Sequence, residues 1–145
     1  MEKIDKADLA LEYLDQAIEC FLDTKRFASA LHLAGAAQEI TEKLIKGDRS
    51  QNFLTTFTDV IGRDMEKNGV ELDKAKFLEA NRTPKNAVKH MDSKKDRYVE
   101  LDLEEEAFKM LAEALTDAML FHKNETENMT RFKEYFTANA LAHLK

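Results

Sequence analysis

One segment, RTPKNAVKHMD at residues 82–92, holds side chains whose types and spacing could do chemistry. The segment contains the only proline of the chain. A helix that begins at this proline would carry two lysines, an amide and an imidazole within two turns, because residues four apart share a helix face. A cation, an amide donor and an imidazole would then lie within reach of one phosphate group. The side chains concerned are those of Arg82, Lys85, Asn86, Lys89 and His90.

The charge distribution favours a local anion site over a general nucleic-acid surface. Residues 82–97 contain six Lys or Arg side chains and two carboxylates, whereas the whole chain has a net charge of −6. Phosphate contacts come largely from Lys and Arg, so this segregation is what an anion site needs. A lysine-rich helix end beside an acidic helix is the competing interpretation, because charge runs are often solvated surfaces. The residues alone leave both interpretations open.

The other chemistries that helical bundles host find little support in the sequence. A di-iron carboxylate centre needs a Glu three residues before a His, and a zincin needs two His four apart on one helix. Neither spacing occurs, so we predict no metal site and no cofactor. A second polar group, formed by Ser29, His32, Glu39 and Lys43, is interpreted as a surface stripe of one helix rather than as a small-ligand site.

The elements that must position this chemistry are helices. The chain has four glycines and one proline, and 43% of its residues are hydrophobic and recur largely at helical spacing. We predict an all-α fold: a single domain over residues 1–145, arranged as an up-and-down bundle of five or six helices. Cys20 is expected to be a reduced core residue. No apolar run approaches the length of a membrane span, and we expect a cytoplasmic protein without contact to a membrane.

Caps and apolar rows predict where these helices begin and end. Pro84 either starts a fresh helix behind Thr83 as N-cap or kinks a continuous helix. Gly35, inside the alanine-rich second helix, is expected to serve close packing, because a glycine there costs about 1 kcal/mol relative to alanine. The predicted helices begin at Asp5, at about Lys25, after Gln51, at Asp73, at Asp102 and after about Lys123. The first three are predicted to end near Asp23, Lys46 and Gly69.

The chain resembles the HEPN superfamily of helical-bundle proteins in two places. KNAVKH, from Lys85 to His90, is similar to the hallmark of that family, an arginine followed by a polar residue, three variable residues and a histidine. Lys85 stands where the arginine is usual. FASALHLAGAAQEITEKLIKG, at residues 27–47, is similar to the alanine-rich helix of the family, which carries an acidic residue. The likeness spans roughly residues 27–120.

The resemblance implies a homodimer and a toxin–antitoxin, phage-defence or RNA-processing setting. Active members of the family are metal-independent ribonucleases, in which the histidine helps a 2′-hydroxyl attack the adjacent phosphodiester and the arginine steadies the phosphate. The matching catalytic residues here are Lys85, Asn86 and His90, with Arg82 and Lys89 expected to bind phosphate. Lysine keeps the charge of arginine but lacks its planar, bidentate fork, so the expected site is a degenerate one.

Two hypotheses about function follow from these residues. The leading one is a HEPN-like protein that binds RNA or a nucleotide at a degenerate ribonuclease-type site. Two alternatives stay open for this site: it cleaves the RNA, or it only binds it. Its expected partners are a second copy of the chain, RNA or a nucleotide, or a cognate antitoxin-like protein. The alternative is a non-catalytic homodimeric protein–protein interaction module, in which the basic segment is only a solvated surface.

Overall fold

The computed structural model describes residues 1–47, 63, 66–71, 73–122 and 124–143. These residues form five α-helices and one short 3-10 helix, with no strand among them, which confirms the all-α prediction. The helices are α1 (Lys6–Leu22), α2 (Phe27–Gly47), α3 (Lys74–Ala87), α4 (Leu103–Phe121) and α5 (Glu127–His143). Among the helices described, none is long and apolar enough to cross a bilayer. Most of the predicted helix at residues 52–69 lies outside the described residues.

The core forms where α1, α2 and α4 pack together, and α5 covers one end of it. Phe21 of α1 lies at the centre, with its ring edge-on to those of Phe132 at 5.9 Å and Tyr135 at 5.4 Å between centroids. Phe108 of α4 completes this aromatic cluster and is fully buried. Cys20 is buried in the same core, as predicted.

The alanine-rich face of α2 lets its neighbours approach closely. Ala30, Ala34 and Ala37 are buried between α1 and α4, where larger side chains would separate the helices. α2 therefore lies at the centre of the bundle, in contact with α1, α3 and α4. It begins at Phe27, two residues after the predicted start, and ends at Gly47.

Three aspartates cap the helices whose starts the sequence predicted. The carboxylates of Asp5, Asp73 and Asp102 each accept a hydrogen bond from a main-chain N–H in the first turn, at 2.9, 3.2 and 3.0 Å. Gly69, the predicted end of a helix, has a φ of 74°, the left-handed conformation that suits glycine at a helix stop.

Pro84 lies inside α3, so this helix is continuous through the proline. The alternative in which Thr83 caps a fresh helix is wrong: the Thr83 hydroxyl instead donates to the Glu79 carbonyl one turn back, at 2.9 Å. α3 then ends at Ala87, and the main-chain N–H of His90 still donates to the Asn86 carbonyl at 3.0 Å. The first three residues of the KNAVKH motif therefore occupy the last turn of a helix, and the last three follow its end.

The chain after α3 contains the short 3-10 helix Lys94–Arg97, which we call the basic turn. The Ser93 hydroxyl accepts from the N–H of Lys95 at 3.2 Å, and one carboxylate oxygen of Asp96 accepts from the N–H groups of Asp92 and Ser93, both at 3.1 Å. This capping box fixes the main chain of the turn and leaves its side chains exposed.

Candidate functional site

Lys85, the first residue of the predicted catalytic set, is buried against α2 with only 4% of its surface exposed. Its ammonium group donates to Gln38 Oε1 at 3.1 Å and lies 3.1 Å from Glu39 Oε1. Gly35 provides the space for the lysine stem, since a Cβ at that position would lie 3.0 Å from Lys85 Cβ. A buried charge is tolerated when it is paired and hydrogen-bonded in this way. Lys85 therefore joins α3 to α2.

Gln38 extends this contact into the centre of the bundle. Its amide nitrogen donates to Glu42 Oε2 at 3.4 Å and to Asp117 Oδ2 of α4 at 3.3 Å, and all three side chains are buried. We call Gln38, Glu42, Lys85 and Asp117, together with the partly exposed Glu39, the buried polar cluster. Sequence reasoning missed Gln38 and Asp117, although a signal was present: Asp117 interrupts the inward row of alanines on α4.

Glu39 bridges the two lysines of the motif. Its second carboxylate oxygen lies 3.8 Å from the ammonium group of Lys89, an exposed residue just after the end of α3. Burial raises the pKa of Glu39, but the hydrogen bond and charge of Lys85, together with the charges of Lys89 and Lys43, outweigh it and lower the pKa overall. Glu39 is therefore ionised near neutral pH and neutralises part of the basic segment.

Asn86, in the last turn of α3, and His90, just after its end, are both exposed and line an open groove with a volume of about 820 Å³. One wall is a single face of α3, and the other is the chain that follows the helix as far as Val99. We call this the α3 groove. Its remaining lining residues are Ala75, Glu79, Thr83, Ala87, Asp92, Asp96 and Tyr98.

The structure thus divides the residues that the sequence grouped around one phosphate. Asn86 and His90 come together in the α3 groove, whereas Lys85 and Lys89 meet at Glu39 on α2. The helical spacing of four explains both pairs, because residues one position apart point about 100° away from each other around a helix. The side chain of Arg82, the other predicted phosphate-binding residue, lies outside the described part of the structure.

The charges around the α3 groove are segregated. Among the described lining residues, three are carboxylates, those of Glu79, Asp92 and Asp96, and His90 is the one basic side chain. The basic turn borders the groove, because Asp96 belongs to both, and Lys94, Lys95 and Arg97 of this turn are exposed. A phosphate is therefore favoured at the turn rather than on the floor of the groove.

Two further questions concern parts of the bundle outside the α3 groove: where the polar group around His32 lies, and whether any side chains could hold a metal ion. Ser29 and His32 are exposed on α2, in agreement with a surface stripe, and Glu39 of that stripe is engaged by Lys85. Within the ranges that the structure describes, no three His, Cys, Asp or Glu side chains are grouped so that they could hold a metal ion.

Comparison with protein-family models finds no match for this chain, and comparison with curated proteins and with solved structures finds none either. The HEPN resemblance therefore stays a prediction that rests on residues 27–47 and 85–90. What the structure defines is a class: an all-α bundle with a buried polar cluster on one side of α3 and an open groove on the other.

Proposed function

We propose that this chain is a HEPN-like bundle protein that binds RNA or a nucleotide at the α3 groove, and that its ribonuclease-type site is degenerate. One observation carries the proposal: Asn86 and His90 are exposed together in a groove bordered by the basic turn, while Lys85 is withdrawn into the buried polar cluster. The groove offers hydrogen-bonding groups, and the turn offers cations.

The exposed groups suit recognition of a nucleotide. The Asn86 amide can donate and accept at once, as the edge of a base requires. The imidazole of His90 has two ring nitrogens, one a donor and the other an acceptor in its neutral form, so it can either donate to or accept from a ligand. The exposed cations of the basic turn can contact phosphates beside the groove.

Cleavage is not expected from this arrangement. Stabilising the charged phosphate of a transition state needs a cation that is already aimed at it. The ammonium group of Lys85 is instead hydrogen-bonded to Gln38 and paired with Glu39, and moving it to a ligand would leave Glu39 without its closest cation. We therefore expect His90 to contribute to the binding of RNA, and we expect no cleavage of the bound RNA.

Metal-free assays with wild type and His90→Ala test the proposal. A labelled single-stranded RNA is incubated with excess chelator, and both its length and its binding are measured. We expect intact RNA with both proteins and weaker binding by His90→Ala. His32→Ala is the matched control, because His32 is exposed on α2 and does not line the groove. Cleavage that His90→Ala abolishes would contradict the degenerate site, and absent binding by wild type would contradict the proposal as a whole.

A specific observation favours a second candidate, the non-catalytic homodimeric interaction module. Met91, Tyr98 and Val99 are large apolar side chains exposed at or beside the α3 groove, whose lining is acidic. Such a surface suits a protein partner with complementary basic residues, either a second copy of the chain or an antitoxin-like protein. Light scattering measures the molar mass in solution and so tests the homodimer. We expect twice the monomer mass of 16.7 kDa. A clean monomer at micromolar concentration would contradict it.

A further inference from the structure

We propose that the α3 groove takes one unstacked base of a single-stranded RNA, that this base stacks on Tyr98, and that the flanking phosphates lie on the basic turn. This inference rests on the proposed function and deepens it, because it names the form of the nucleic acid and the subsite that reads it. The juxtaposition that carries it is an exposed aromatic ring between an acidic groove and three exposed cations.

Tyr98 provides the stacking surface. It is 81% exposed although it lines the groove, so its ring presents a large apolar area to water. The guanidinium carbon of Arg97 lies 5.4 Å from the centre of the ring, over one face. This cation–π contact orients the ring and leaves the opposite face for a base. Stacking on aromatic side chains is the usual way in which proteins hold unpaired bases.

The basic turn is ordered before any ligand arrives. Its capping box uses the side chains of Ser93 and Asp96 to hold the main chain, so Lys94, Lys95 and Arg97 extend from a fixed frame. A preordered frame reduces the entropy lost on binding. Because Tyr98 follows the turn directly, a base on its ring places the neighbouring phosphates next to these cations.

The acidity of the groove decides which part of the nucleotide enters it. Glu79 and Asp92 repel a phosphate, but a carboxylate accepts hydrogen bonds from the amino group of a base, as it does from cytosine N4. The groove volume of about 820 Å³ lies within the range of roughly 300–1,000 Å³ typical of small-ligand sites. We therefore expect a base with an exocyclic amino group to be preferred over uracil, which has none.

The same geometry favours single-stranded RNA over a duplex. A base inside an A-form duplex is stacked on both faces, so it cannot reach the ring of Tyr98 or the floor of the groove without being extruded. The basic turn can still contact the phosphates of a duplex, but the binding free energy then lacks the part that comes from stacking on Tyr98. We expect oligo-C to bind more tightly than either oligo-U or a duplex of equal length.

A fluorescent reporter at the proposed stacking position tests the inference. The chain contains no tryptophan, so Tyr98→Trp introduces a single indole at the groove. The variant is titrated with oligo-C, oligo-U and a duplex of the same length. We expect saturable quenching by oligo-C at the lowest concentration. Ile4→Trp is the matched control, because Ile4 is also apolar and exposed, at 55%, but lies before α1 outside the groove; its fluorescence should not change.

Binding by unlabelled variants separates this inference from the proposed function. Anisotropy of labelled oligo-C should show about tenfold weaker binding for Tyr98→Ala and less than about a twofold change for Tyr98→Phe, which keeps the ring. Equal affinities of wild type and Tyr98→Ala would overturn the stacking inference and leave RNA binding intact. No binding of oligo-C by wild type would overturn both. Quenching of the reporter by a lysine-rich peptide but by no RNA would also overturn the inference, in favour of a basic protein partner.

Discussion

Replacement of Lys85 by alanine should destabilise the bundle by about 2–3 kcal/mol. The ammonium group of Lys85 makes two contacts of 3.1 Å to α2, one with Gln38 and one with Glu39. Truncation removes both contacts and leaves the carbonyl oxygen of Gln38 without this donor inside the bundle. It also removes the connection that the lysine stem makes with Gly35. The loss should therefore appear in global stability rather than in ligand binding alone.

The magnitude follows from the exposure of the partners. A hydrogen bond to a charged group contributes about 1.5–3 kcal/mol, and breaking a fully buried ion pair costs about 3–5 kcal/mol. The side chain of Glu39 is 40% exposed, so water can solvate its carboxylate after the lysine has gone. This solvation removes much of the penalty of an unpaired buried charge, and the expected cost lies below that of a fully buried pair.

Urea unfolding followed by far-UV circular dichroism measures the effect. With a slope of about 2 kcal/mol per molar urea, the midpoint for Lys85→Ala should fall by about 1 M. Lys94→Ala is the matched control, since Lys94 is exposed in the basic turn, and its effect should stay within about 0.5 kcal/mol. Equal midpoints for the two variants would refute the reasoning. They would mean that Lys85 is not held by α2 in solution and is available to a phosphate.

Three further predictions concern the same bundle. Glu39→Gln should lower the free energy of unfolding at neutral pH, because the folded protein lowers the pKa of Glu39 and so favours its ionised form. When unfolding is measured at a series of pH values, the difference in stability between wild type and variant should vanish as the pH falls below about 4 and Glu39 becomes protonated. Gly35→Ala should destabilise by about 1 kcal/mol in urea, since overpacking against Lys85 at 3.0 Å outweighs the gain in helix propensity, and a stabilised variant would contradict that packing. Cys20, 8% exposed, should react with a thiol reagent only in denaturant, and rapid reaction of the native protein would contradict its burial.

The helix starts were predictable because their causes are local. Asp5, Asp73 and Asp102 cap helices through hydrogen bonds to residues two or three positions away, and such short-range contacts can be read from the sequence. The continuity of α3 through Pro84 was not decided in the same way. α3 packs against α2, and such a tertiary contact, which propensity does not contain, can override the preference of proline for a helix start.

The candidate site was predictable in part for the same reason. The spacing of four between Asn86 and His90 placed them on one side of the chain, and they do line one groove. The position of Lys85 was not predictable from the motif, because its hydrogen-bond partner Gln38 is 47 residues away. Two cations of the basic segment, Lys85 and Lys89, therefore form ion pairs with Glu39 of α2, which the local sequence does not indicate.

The salt dependence of oligo-C binding tests the central claim of RNA recognition at the α3 groove most directly. If Lys94, Lys95 and Arg97 each neutralise one phosphate, the logarithm of the affinity should fall against the logarithm of the salt concentration with a slope of about −2, from roughly −0.7 per contact on a single strand. Lys94→Ala and Lys95→Ala together should make this slope shallower by more than one. A slope near zero, or one that the double variant leaves unchanged, would contradict the account.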